Sequence, residues 1–262
     1  MLGANLCILP GSMLGQERCL SWDELRDIHL DRDNPWYRKY MAFIDTLVHR
    51  SAGRYPVSPS PLIGPSDLAA MLRGHTQFVL DLVSEPRCQD LLQKLGDVFV
   101  EITRAAWARI PLFCGGYFDA QYSLWAPGPI ARLQEDATGL FSPSLYRKVL
   151  QPVDRMAARQ FTHAFMHLHP TSLFLLDAFL EVEEIRCFQV NYEPQSSGLS
   201  LADMIPYLRR IQQAGRPLVL RGSFTVDEAR LLMDQLDSRG LYVYVMVGMQ
   251  QEVEALSPVL GL

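Results

Sequence analysis

Short apolar runs alternate with helical stretches through the second half of the chain, and this alternation constrains the fold more than any other feature. The runs, many of them β-branched, are in chain order ARLQED, AFMHLH, RCFQVNYE, RPLVLRG and GLYVYVMVG. Helical spacing predicts the clearest intervening helices over residues 144–162, 200–214 and 226–239. Because repeated strand–helix–strand units build parallel sheets, the pattern predicts a parallel sheet with helices packed against it.

The first half of the chain is predicted to be mostly helical, with two further strand candidates. Ser21 and Glu24 have the spacing of a capping box, and a longer helix is predicted over residues 86–110. Residues 56–63 are predicted to form an extended strand that ends at Gly64-Pro65. The segment CGGYFDAQYSLW is the second strand candidate.

The predicted fold class is α/β, a TIM-like (β/α)8 barrel. The strand signals number about seven, whereas a complete barrel of this type has eight strands. Either a further strand lies within the N-terminal 20 residues, or the barrel is incomplete at its N-terminus. The chain is divided accordingly into an N-terminal helical segment, residues 1–55, and a barrel domain, residues 56–262.

The composition is that of an acidic globular protein and argues against several functional classes. A formal net charge of −5 disfavours nucleic-acid binding, since nucleic-acid-binding proteins are usually basic. No apolar run reaches the roughly 18–20 residues that span a bilayer, and the start of the chain lacks the basic region of a signal peptide. The five cysteines are scattered without a CxxC pair, which favours reduced thiols and a cytoplasmic location.

Glu135 and Asp136 stand where one of the predicted strands ends. A β/α barrel places its reactive groups at the carboxyl ends of its strands, so either carboxylate could orient a substrate, exchange a proton or hold a cation. The alternative is structural, because aspartate is favoured at helix N-caps and Asp136 directly precedes the segment ATGLF. Both interpretations stay open, with Asp136 the better functional candidate.

His167 and His169 end the next predicted strand and share one of its faces, since side chains two residues apart point the same way. Two imidazoles at this position could bind a metal ion or the carboxylate of a substrate. The alternative is a hydrogen-bonded structural pair. A catalytic zinc site has three protein ligands, and no cysteine follows Cys187 to supply the third.

Three further residues are candidates for substrate binding. Asn191 ends the strand after the histidines, and Arg221 ends the following one, where its guanidinium could pair with a substrate carboxylate or with a neighbouring acid. Tyr117 follows a glycine pair within an aromatic cluster that suits a pocket wall or a core. The sequence has no P-loop, GxGxxG element or GxSxG elbow.

Four segments of the chain together match the motifs of one known family. They are Gly64-Pro65 before an apolar helix, QEDATGLFSPSLYRKVLQPVDR, HLHP and VLRGSF. In the second of them the matching positions are Asp136, Ser142, Pro143, Tyr146 and Pro152. The set resembles the uroporphyrinogen decarboxylase superfamily over roughly residues 56–250, and the resemblance implies an (α/β)8 barrel.

The chain departs from both activities of that superfamily. The decarboxylases carry an N-terminal arginine motif that ends in AGRY. Residues 52–55 have these letters, but they stand directly before the Gly64-Pro65 strand, and we treat the match as coincidence. The corrinoid-dependent methyltransferases hold zinc with a His-x-Cys pair and a later cysteine. In this chain His169 stands in place of the cysteine of that pair. The later cysteine is also absent, since the segment GLYVYVMVGM has none.

The resemblance implies an enzyme with one of two activities, or a catalytically inactive binding relative. The first activity is a carboxy-lyase reaction on a carboxylated small molecule of tetrapyrrole type, with no cofactor expected. The alternative is methyl transfer involving a corrinoid, with zinc on His167 and His169. The assigned catalytic residues are Asp136, His167 and His169, and the assigned substrate-binding residues are Tyr117, Glu135, Asn191 and Arg221. No nucleic-acid or membrane partner is expected, and a homodimer is left open.

Overall fold

The computed structural model describes residues 1–9 and 12–261 in two compact units. The first unit is Met1–His163 and the second is Ala164–Leu262. The last residue of the predicted barrel domain, Leu262, lies outside the described residues, as do residues 10 and 11 of the predicted N-terminal segment. Within the described residues, no helix is long and apolar enough to cross a bilayer.

The first unit is built mainly from helices. They are α1 (Trp22–Arg26), α2 (Pro35–Ser51), α3 (Pro65–Arg73), α4 (His75–Ser84), α5 (Arg87–Trp107), α6 (Pro143–Val149) and α7 (Gln151–Arg159). The predicted capping box is present at the start of α1, where Ser21 and Glu24 cap each other's backbone N–H. The helix predicted over residues 144–162 is divided at Leu150, since Pro152 lacks the N–H that a continuous helix would use.

The strands of the first unit are short. They are β1 (Leu6–Leu9) and β2 (Ser12–Gly15), an antiparallel pair, β3 (Tyr117–Asp119) and β4 (Leu124–Ala126), also antiparallel, and β5 (Ile130–Gln134). Two predictions are corrected. Residues 56–63 are not in a strand, because three prolines remove the N–H groups that a sheet would use. The segment CGGYFDAQYSLW forms a hairpin, since its chain turns back between β3 and β4 instead of crossing over a helix.

The second unit alternates strands and helices as predicted. Its elements are β6 (His163–Leu168, which begins on the last residue of the first unit), α8 (Leu176–Leu180), β7 (Cys187–Asn191), α9 (Pro194–Ser197), α10 (Leu201–Gln213), β8 (Leu218–Gly222), α11 (Val226–Gln235), β9 (Leu241–Val245) and α12 (Gln250–Leu260). β6, β7, β8 and β9 pair in this order, each parallel to the next. The fold is therefore mixed α/β with a parallel sheet, and a complete eight-stranded barrel is not confirmed.

Alternation along the strands gives this sheet two unlike faces. Apolar residues of β7 and β8 that are fully buried occupy one face; they are Phe188, Val190, Leu218 and Leu220. α10 packs against β8 through buried leucine and isoleucine side chains such as Leu208 and Ile211. Burying each such side chain contributes roughly 1.5–3 kcal/mol. The intervening positions put His167, Gln189 and Asn191 on the opposite face, where the candidate site lies.

Candidate functional site: a closed hydrogen-bond ring on β6 and β7

The strand register of β6 and β7 places five polar side chains side by side. His167 is opposite Gln189 in the parallel pair, and His169 follows His167 on the same face. Asn191 and Glu193 continue the face of Gln189 at steps of two residues, with Glu193 just beyond the end of β7. The carboxyl ends of two neighbouring strands therefore present two imidazoles, two amides and one carboxylate on the same face.

These five side chains close a ring of hydrogen bonds. Glu193 Oε2 lies 2.8 Å from His169 Nδ1, and Glu193 Oε1 accepts from Asn191 Nδ2 at 2.7 Å. Asn191 Oδ1 accepts from Gln189 Nε2 at 2.9 Å, and Gln189 Oε1 contacts His167 Nδ1. The two histidines complete the ring, with 3.2 Å between their Nε2 atoms and their planes crossing at 79°.

The ring runs from the interior to the surface. His167, Gln189 and Asn191 are buried, with 3%, 0% and 5% of their surfaces exposed, whereas the side chains of His169 and Glu193 are about one third exposed. Buried polar groups are costly unless they are paired, at roughly 1–3 kcal/mol each, and here each of the three has partners within the ring. The arrangement is thus rigid at its base and accessible to a small molecule at its rim.

The direction of each hydrogen bond in the ring follows from the carboxylate. An ionised glutamate only accepts, so Asn191 must donate to Glu193 with its amide nitrogen and face Gln189 with its oxygen. Gln189 then donates to Asn191 and turns its own oxygen to His167. Consequently His167 and His169 both carry a proton on Nδ1, and their Nε2 atoms point toward each other 3.2 Å apart.

The separation of the two Nε2 atoms also suits two ligands of one metal ion. Two nitrogens bound at about 2.0–2.1 Å to one tetrahedral zinc ion are about 3.3 Å apart, close to the observed separation. Metal-ligating histidines also donate their other ring N–H to a carboxylate or a carbonyl group, as His169 does to Glu193 and His167 does to Gln189. The geometry suits a bound divalent cation, or one proton shared between the rings.

Arg221 lies next to this ring in the sheet. It is paired in register with Asn191 on one side and with Tyr244 on the other. Its guanidinium carbon is 5.7 Å from the centre of the Tyr244 ring, a cation–π contact. The buried Nε of Arg221 has no hydrogen-bond partner among the described residues.

Glu135 and Asp136 lie in the first unit, where each has a structural contact. Glu135 is buried, 3% exposed, and its Oε2 accepts from the N–H of Ser66 in the first turn of α3 at 2.9 Å. Glu135 precedes a short 3-10 helix (Asp136–Leu140), so the N-cap position belongs to Glu135 and not to Asp136, as the structural interpretation of Asp136 had it. In the opposite direction, Asp67 of α3 accepts hydrogen bonds from the backbone N–H groups of Asp136 and Ala137 at 3.2 and 2.8 Å.

The buried Glu135 has an acidic neighbour, Asp154. Tyr146 donates its hydroxyl hydrogen to Asp154 Oδ2 at 2.7 Å. Burial raises the pKa of Asp154 to about 7, and burial together with the charges of Asp154 and Asp67 raises the pKa of Glu135 well above its usual value. Glu135 Oε1 has no donor among the described residues. Two acids this close in a buried site repel each other when both are ionised, which is the second reason that the pKa of Glu135 is raised.

Tyr117 lies in the hairpin of the first unit. Its half-buried ring packs edge-on against Trp107, with 5.0 Å between the ring centres. This contact matches the structural side of the prediction, in which the aromatic cluster forms core or pocket wall. Its predicted role in substrate binding stays a prediction.

Two members of the ring were not assigned from the sequence. Gln189 and Glu193 belong to the run RCFQVNYE, in which every second residue from Gln189 onward is polar. This alternation of polar and apolar residues, which the HLH run of the preceding strand also shows, was the sequence signal for Gln189 and Glu193. Its importance depends on the parallel pairing of β6 and β7, which the pattern alone does not specify.

No protein-family model and no curated protein matches the sequence. Among solved structures the chain is similar to a methyltransferase from Methanosarcina mazei, with a TM-score of 0.65 at 12% sequence identity. The match covers 98% of this chain and 75% of that one. At this identity the likeness establishes a shared fold.

Proposed function

We propose that the chain is a methyltransferase-like enzyme whose His167 and His169 bind one divalent cation, zinc, through their Nε2 atoms. The observation that carries this proposal is the 3.2 Å separation of two Nε2 atoms in imidazoles whose Nδ1 atoms are both held as donors. The fold likeness to a methyltransferase supports methyl transfer over the decarboxylase interpretation. A corrinoid is the proposed methyl donor, following the family branch that the histidine strand resembles.

The residues present fit such a cation. Zinc accepts imidazole nitrogens as ligands, and a catalytic site keeps at least one position for water or substrate. His167 and His169 would supply two of the ligands. The side chain of His169 is partly exposed, which leaves a route to the site for an acceptor molecule. When bound, zinc would act as a Lewis acid that lowers the pKa of a coordinated thiol or water.

The chain's own side chains have the remaining roles. Gln189 and Glu193 orient the two imidazoles, and the buried amides keep water away from the base of the site. Arg221 would bind a carboxylate of the substrate through the terminal nitrogens of its planar guanidinium, which Tyr244 already orients. The proposed methyl acceptor is accordingly a small molecule that carries a carboxylate.

Metal analysis of the purified protein tests this function. We expect one zinc ion per chain, and a loss of at least tenfold in zinc affinity in His167→Ala and His169→Ala, since each substitution removes a ligand. His49→Ala is the matched control, because His49 is an exposed histidine at the end of α2 in the first unit. A wild-type protein that binds no zinc on titration, or single alanine variants with unchanged affinity, would contradict the proposal.

A further inference from the structure

Glu193 is the one residue in the ring that receives hydrogen bonds from both directions. Following the ring from Glu193 through Asn191 and Gln189, each group donates back toward the carboxylate as far as His167 Nδ1. Following it the other way, His169 Nδ1 also donates to Glu193. The donors converge on Glu193, and the two Nε2 atoms meet at the opposite point of the ring.

We infer that Glu193 is a positioning residue that sets the tautomers of both histidines, of His169 by direct contact and of His167 through the amides of Asn191 and Gln189. Only the consequence of this inference for metal binding rests on the proposed function. The hydrogen-bond directions themselves are a property of the metal-free chain. No other residue in the ring can take this role, because amides and neutral imidazoles each both donate and accept.

The effect of replacing the carboxylate by an amide can be followed around the ring. In Glu193→Gln, the new amide can accept from Asn191 with its oxygen and donate to His169 Nδ1 with its nitrogen. His169 Nδ1 is then an acceptor, so a neutral His169 carries its proton on Nε2, the atom that would bind the metal ion. A nearly isosteric change would thereby remove the metal-binding arrangement.

Moving the carboxylate one position along the ring should restore the arrangement. In the double variant Asn191→Asp with Glu193→Gln, the carboxylate at position 191 accepts from Gln189 and from the new amide at position 193. The oxygens of those two amides then face His167 Nδ1 and His169 Nδ1. Both imidazoles again carry Nδ1 protons, as in the wild type. The double variant has the same net charge as the wild type.

Nitrogen-15 NMR of the imidazoles in the metal-free protein tests the inference directly. We expect protonated Nδ1 atoms on both His167 and His169 in the wild type and in the double variant. In Glu193→Gln we expect one of the two histidines to have an unprotonated Nδ1. Unchanged tautomers in Glu193→Gln, or an unrescued double variant that is folded by circular dichroism, would overturn the inference.

Zinc titration of the same three proteins gives the second measurement. We expect Glu193→Gln to bind zinc roughly 10–100-fold more weakly than the wild type, as is typical when a partner of a ligating histidine is lost, and the double variant to recover most of that affinity. A purely structural role of Glu193 would predict no recovery. If no protein binds zinc but the NMR result holds, the proposed function fails while the assignment of Glu193 stands.

Discussion

At Gly64 the chain has no room for a side chain. The residue precedes α3 with an ordinary φ of −76°, so its backbone conformation suits any amino acid. A Cβ atom placed there would lie 1.8 Å from the backbone oxygen of Gln134 and 2.4 Å from Glu135 Oε1. The glycine in the Gly64-Pro65 motif is therefore explained by the close approach of α3 to the end of β5.

Gly64→Ala is expected to destabilise the first unit by about 1–3 kcal/mol or more, because the clash with a backbone oxygen cannot be relieved by a rotamer change. Urea denaturation followed by circular dichroism would measure the change in the free energy of unfolding. Gly248→Ala is the matched control, since the nearest atom to a Cβ at this exposed glycine is 3.9 Å away. Equal effects of the two substitutions would contradict this account.

Among the elements, two helices of the parallel-sheet unit, α10 and α11, begin at side-chain caps. Thr225 accepts from the N–H of Glu228 at 3.2 Å, and Glu228 Oε2 accepts from the N–H of Thr225 at 2.8 Å, at the start of α11. Ser200 and Asp203 form the same reciprocal pair at α10. These local bonds set where each helix starts, and so where the preceding strand ends and its polar residues emerge.

Thr225→Ala should lower the free energy of unfolding by about 1 kcal/mol, because the backbone N–H of Glu228 loses its acceptor. Thr225→Ser keeps a hydroxyl at the cap and should retain most of the stability. Chemical denaturation of the three proteins at one pH gives the comparison. An alanine variant as stable as the serine variant would show that the cap contributes little to α11.

On the scale of the whole molecule, acid groups make the first unit sensitive to pH. The pKa of Asp67 is raised to about 6 by burial and by the neighbouring charge of Asp136, and the pKa of Asp154 is raised to about 7 by burial. Burial also raises the pKa of Glu135 well above its usual value. Groups whose folded-state pKa exceeds the unfolded value near 4 bind protons more tightly when folded. Their contribution to stability is present below about pH 4 and is lost as the pH rises through 6–7 and above.

The free energy of unfolding is therefore expected to fall between pH 6 and pH 8.5, and to fall less in Glu135→Gln. The glutamine is neutral at every pH, can accept from the N–H of Ser66 and can donate to Asp154, so it removes one of the two like charges. Urea denaturation of both proteins at the two pH values gives the slopes. Parallel slopes for wild type and variant would exclude the acid pair as the cause.

Much of the second unit could be predicted from local sequence. The alternation of strands and helices, the parallel sheet and the shared face of His167 and His169 all follow from side-chain periods of two and 3.6 residues. Less of the first unit could be predicted from local sequence. The segment over residues 56–63 has apolar residues at strand spacing but prolines that prevent pairing, and CGGYFDAQYSLW forms a hairpin because its ends pair with each other. Local composition does not reveal which segment is the partner of a strand.

The sequence by itself determined which residues could carry chemistry and on which strands they lie, because periodicity and caps are local properties of the chain. Only the tertiary structure decided how those residues act together. The parallel register of β6 with β7 brings Gln189, Asn191 and Glu193 alongside the two histidines, and the ring that results gives each hydrogen bond its direction. The packing of α3 against the end of β5 likewise made Glu135 a buried acid beside Asp154. Both outcomes depend on contacts between residues distant in sequence, whose distances and burial no local pattern contains.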